Sequence, residues 1–112
     1  MPNFEDLRLI DLIKTFRADV VNIQENRSVS LFKQAGKDLQ NIYNLHLTSK
    51  NTFKEVEDYL KNLYKSFNYA AVTVNDALKK KSLDQKDGAM MEECLEIMIK
   101  CCDIVTTKLS KK

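Results

Sequence analysis

Cys94, Cys101 and Cys102 are the only thiols in the chain and His46 its only imidazole. Zinc binding by such residues needs paired ligands such as C-x-x-C, or added histidines, so that three or four donors converge. The stretch "CLEIMIKCC" offers neither spacing. On one helix Cys94 and Cys101 stand about 10 Å apart along the axis, beyond the ~7 Å Cα limit for a disulfide. Reduced thiols in a cytosolic protein are the expectation, with Cys94 and one of Cys101 and Cys102 buried as small apolar residues. A reactive or lipid-modified thiol stays open for whichever of Cys101 and Cys102 faces outward. His46 has no second histidine to share a metal or a proton relay, and reads as a boundary histidine near a helix end. No G-x-S-x-G, phosphate loop or isolated acid pair occurs, so neither catalysis nor a cofactor is expected. Glu92, Glu93 and Glu96 read as a solvated helix face.

The remaining chemistry is charge and apolar surface. Basic clusters at Lys79–Lys81 and at Lys108, Lys111 and Lys112 lack interleaved aromatics or a recognition motif. They read as solvating helix ends, with anionic lipid headgroups the alternative contact. Eighteen basic against 16 acidic residues give a net charge of +2, too small for a global field that selects nucleic acid. No small-molecule substrate is expected either. Met90, Met91 and Met98 with Ile97 and Ile99 form a soft face of the kind that fills cores or takes partner helices.

These residues must be positioned by helices. The 112 residues contain two glycines and one proline, at position 2, too few turn formers for a β-rich chain. With 44% hydrophobic and 30% charged residues the composition is that of one globular domain. Acidic Glu5, Asp6 and Asp11 stand where a signal peptide needs positive charge, which predicts an unprocessed cytoplasmic chain.

Four amphipathic segments follow, over about 3–25, 29–47, 53–81 and from 83 or 89 to 110. The first opens at Asn3 as N-cap and carries Leu9, Ile13, Phe16, Val20 and Ile23 at alternating steps of four and three. After the corner Asn26–Ser28, capped by Ser28, the second continues with Phe32, Ala35, Leu39 and Ile42. Gly36 within it either costs up to ~1 kcal/mol relative to alanine or admits a close backbone approach. Thr52 and Glu55 predict a capping box for the third. Phe53, Val56, Leu60, Leu63, Phe67, Ala70, Val74 and Ala77 then form an unbroken heptad stripe closed by Lys79–Lys81. The fourth starts at Ser82, in a second capping box with Gln85, or only after Gly88. Its stripe is Met91, Leu95, Met98, Cys102, Val105 and Leu109. The fold class is all-α: a closed up-down bundle, or extended hairpins completed by partner subunits. The long heptad favours the hairpins, whose apolar faces would make the isolated chain self-associate.

Two stretches carry a family likeness. "FRADVVNIQENRSVSLFK" (16–33) resembles subunit eight of BORC, the BLOC-one-related complex, through Phe16, Val20, Ile23, Ser28, Val29, Leu31, Phe32 and Lys33. Arg27 stands where that family carries a proline. "NYAAVTV" (68–74) resembles its second conserved patch through Tyr69, Ala70 and Val74. The likeness covers about residues 12–78. It implies a non-enzymatic subunit of a helical assembly sitting peripherally on the cytosolic face of lysosomes. That assembly recruits an Arl-family GTPase and, through it, kinesin, which moves lysosomes outward. The partners it implies are other small coiled-coil subunits. The interface expected on the stripe is Phe53, Leu60, Leu63, Phe67 and Val74, with Leu31 and Phe32 anchoring the corner. The alternative is a self-contained four-helix adaptor that binds one partner helix in a groove.

Overall fold

The structure, a computed structural model, describes residues 2–81 and 85–112. Four α-helices account for most of it: α1 (Phe4–Glu25), α2 (Val29–Thr48), α3 (Glu57–Lys80) and α4 (Gln85–Ser110). They form an up-down-up-down bundle measuring 48 × 21 × 20 Å. The closed architecture prevails over open hairpins because each apolar face is broad enough to meet two neighbours. α1 packs on α2 and α4, and α3 on α4, while α2 and α3 approach mainly through side chains.

Helix starts follow local chemistry in two cases. Asn3 caps α1: its side chain accepts from the Asp6 N–H at 2.8 Å, and Asp6 Oδ2 accepts from the Asn3 N–H at 3.0 Å. Ser28 caps α2 by accepting from the Leu31 N–H at 3.5 Å. The capping box predicted at Thr52 is not formed. The Thr52 hydroxyl instead donates to Glu5 Oε2 at 2.8 Å, a contact 47 residues distant that no local reading contains. A single 3-10 turn, Lys54–Val56, leads into α3 with no side-chain cap. α4 already runs from Gln85, so Gly88 lies inside it; the predicted Ser82 cap lies outside the described residues.

The core follows the stripes. Leu9, Ile13, Phe16, Val20 and Ile23 of α1 are buried, as are Phe32, Ala35, Leu39 and Ile42 of α2. Met91, Leu95, Met98, Cys102, Val105 and Leu109 of α4 are buried too. The third stripe behaves differently. Phe53, Val56, Leu60, Leu63 and Ala70 are enclosed, but Phe67, Val74 and Ala77 are only half-buried.

At one end of the bundle the chain ends meet. Lys112 Nζ reaches Asp6 Oδ1 at 3.1 Å and the Thr52 carbonyl at 3.2 Å. Asp6 is fully buried, so this ion pair neutralises a carboxylate that would otherwise be desolvated alone. It ties α4 to α1 and to the α2–α3 connection.

Candidate functional site

The half-buried end of the third stripe opens onto a groove between α2 and α3. Its larger hollow, about 400 Å³, is bordered by Val29 and Phe32 of α2, and by Val74, Ala77 and Leu78 of α3, with Ile23 and Met91 behind them. A second hollow of about 320 Å³ continues along the same seam between Gly36 and Tyr43 of α2 and Tyr64 and Phe67 of α3. Phe32 and Phe67 stack between the two, with ring centroids 4.8 Å apart and planes 16° from parallel.

Aromatic rings keep these two helices apart. Phe67 also meets Phe16 edge-on at 6.1 Å, and Tyr43 meets Tyr64 edge-on at 5.3 Å. Gly36 makes room for the Phe67 ring: a Cβ there would stand 3.3 Å from Phe67 Cζ. The close approach anticipated at Gly36 is therefore made by a side chain and not by a backbone. Rings of this size fill a seam at a width that smaller side chains would let close, and the unfilled ends become the two hollows.

The rim carries exposed apolar side chains. Val29 is 39% exposed and Leu78 54% exposed, both at the mouth of the larger hollow. The corner beside them is held by Arg27, whose Nη1 donates to the Ile23 carbonyl at 2.9 Å and whose Nη2 pairs with Glu92 of α4. Glu92 is thus an ion-pair partner and not part of a purely solvated face.

His46 lies beyond the second hollow and is buried, not at the boundary expected of it. Its Nδ1 is 3.1 Å from the Tyr64 hydroxyl, and Nε2 is 3.9 Å from Glu57 Oε1 without a hydrogen-bond partner. Burial holds its pKa below the ordinary histidine value despite Glu57, and burial raises the Tyr64 hydroxyl. A neutral imidazole bonded to an un-ionised phenol shapes the seam but has no open face toward a substrate. A second polar pair bridges α1 and α2: burial, followed by the neighbouring carboxylate of Asp38, raises Asp19 to about 7, and Asp19 Oδ2 is buried without a hydrogen-bond partner among the described residues. Nothing in the residue pattern marked this pair, because helix periodicity does not say which outer positions of two helices converge.

All three cysteines are buried. Burial raises each thiol, Cys102 to about 12, away from the thiolate form that reacts or ligates. Among the described residues no group of three or more His, Cys, Asp or Glu side chains converges on a point. No described helix is long and apolar enough to cross a membrane.

The seven residues expected at a partner interface divide by position. Phe53, Leu60 and Leu63 are enclosed by the chain's own helices and present no surface in this closed bundle. Phe32 is buried with one ring face on Phe67, and Leu31 packs partly buried against the core. Phe67 and Val74 border the groove. Val29 and Leu78 complete its rim, and sequence periodicity alone had not singled them out for that role. No protein-family model matches the chain, and neither a curated protein nor a solved structure matches it at a significant level.

Proposed function

We propose that this chain is a non-enzymatic interaction subunit that receives an apolar helix of a partner protein in the α2–α3 groove. The observation that carries the reading is the interrupted burial of one stripe. Every stripe position named above for α1, α2 and α4 is buried, whereas the α3 stripe leaves Phe67, Val74 and Ala77 half-covered beside exposed Val29 and Leu78. A largely apolar hollow between two helices, with a second, ring-lined hollow beyond the Phe32–Phe67 stack, suits an amphipathic helix with anchors at i, i+3/i+4 and i+7. Completing the burial of each large side chain contributes on the order of 1 kcal/mol.

A finer reading draws on the resemblance to BORC subunit eight. Ile23, Ser28, Val29, Phe32 and Val74 all carry that resemblance, and all border the larger hollow although two stretches of sequence supply them. On this reading the partners are other small helical subunits on the cytosolic face of lysosomes. The chain then supports recruitment of an Arl-family GTPase and kinesin by holding a sister helix.

The test is affinity capture of the tagged chain in three forms: unaltered, Leu78→Glu and Val72→Glu. Val72 is 60% exposed and does not border the groove. A set of small coiled-coil proteins retained by the unaltered chain and by Val72→Glu, but lost with Leu78→Glu, supports the reading. Partners indifferent to Leu78→Glu overturn it. Lysosomes gathered near the cell centre on depletion of the chain support the finer version, and an unchanged distribution contradicts it.

A further inference from the structure

We infer that the groove also reads charge: its occupant carries an Asp or Glu at the end of its apolar stripe, and Lys81 receives it. This inference rests on the helix-docking reading of the groove and specifies the partner's chemistry.

Four observations carry it. Among the described residues no acidic side chain borders either hollow, and the two charged residues that do, Arg27 and Lys81, are both basic and both at the larger hollow. Glu92 neutralises Arg27, whereas no ion pair or hydrogen bond engages the Lys81 ammonium among the described residues. α2 begins at this mouth with no acidic residue in its first turn, so the positive end of its dipole adds to the lysine. The fourth observation is conformational. Lys81 closes α3 at φ 58°, ψ 23°, the left-handed geometry in which glycine ends helices without a Cβ penalty. A lysine held there is less favourable for the fold than glycine, and its side chain borders the groove. A carboxylate of the occupant placed over this mouth fixes both the direction in which the helix lies and its register.

The test is a display selection of helical peptides of about 20 residues, long enough to run along the seam. It is panned in parallel on the folded full chain and on its Lys81→Glu, Lys81→Gly and Leu78→Glu variants. The unaltered chain should enrich peptides with an apolar i, i+3/i+4, i+7 stripe ending in Asp or Glu. Lys81→Glu should enrich Lys or Arg at that position and bind the original peptides about fivefold more weakly. Lys81→Gly should melt at a higher temperature yet lose the acidic preference, which separates the binding role from a structural one. Groove-binding peptides without an acidic preference, or with a preference unchanged in Lys81→Glu, overturn this inference and leave helix docking standing. An empty selection, or peptides equally enriched on Leu78→Glu, overturns the docking reading itself.

Discussion

The Phe32 and Phe67 rings stack at 4.8 Å between centroids, and Gly36, one turn beyond Phe32, leaves the space into which Phe67 projects. This three-residue arrangement sets the width of the α2–α3 seam. Gly36→Ala gains up to ~1 kcal/mol of helix propensity but sets its methyl 3.3 Å from the Phe67 ring. In a Phe67→Ala background that conflict disappears. A double-mutant cycle by denaturant unfolding should show Gly36→Ala stabilising by about 1 kcal/mol without the ring, and by clearly less with it.

Stability should depend on pH through Asp19. Its folded pKa of about 7 lies above the ordinary carboxylate value, so the folded state binds a proton that the unfolded state releases. The associated stability is present at acidic pH and is lost as pH rises through about 7. Asp38 and Gln34 are the neighbours that act on this site from α2. His46 acts with opposite sign, since the folded state keeps it neutral, and it costs stability only as pH falls below about 6.5. The Asp19 effect therefore runs from about pH 4 to about 7 and levels off above it, with His46 opposing it below about 6.5. Relative to the unaltered chain, Asp19→Asn should lose the destabilisation that builds up between about pH 4 and 7, read as the difference in melting temperature across that range.

Lys112→Met should be more damaging than a surface lysine change. It strips a buried carboxylate of its cation and leaves the Thr52 carbonyl without that donor. Loss of one partner of a buried pair costs about 3 kcal/mol, softened here because the Asn3 N–H still reaches Asp6. Lys61→Met, which removes only an exposed i,i+4 pair with Glu57, should cost about 0.5 kcal/mol or less. Chemical denaturation of the two variants measures the contrast.

The thiols should be inert in the native state. With Cys94, Cys101 and Cys102 buried and their pKa values raised, iodoacetamide at neutral pH should label them slowly, and all three should label promptly in denaturant. Mass spectrometry of the intact chain reads the count. Rapid native labelling of Cys101 or Cys102 would place that thiol on an open face.

Much of the fold was legible because short-range signals and packing agree. The Asn3 and Ser28 caps, the corner between them and the stripes of α1, α2 and α4 lie where residue types and spacing put them. Thr52 misled because a hydroxyl positioned to cap a helix found Glu5 instead. His46 misled because its distance from the helix end says nothing about Tyr64 on another helix. The groove was half legible: Phe32, Phe67 and Val74 could be picked as contact residues. A heptad stripe reads alike whether its seam is closed or left ajar. Which seam stays open depends on ring sizes meeting across two helices, here Phe32, Tyr43, Tyr64 and Phe67.

Hydrogen–deuterium exchange on the affinity-captured complex, compared with the free chain, tests the docking groove most directly. Partner binding should slow exchange in peptides from Val29–Tyr43 and from Tyr64 to Lys81, the two walls of the seam, with α1 and α4 little changed. Protection confined to α1 and α4, with those two walls exchanging as in the free chain, would contradict the groove as the binding surface.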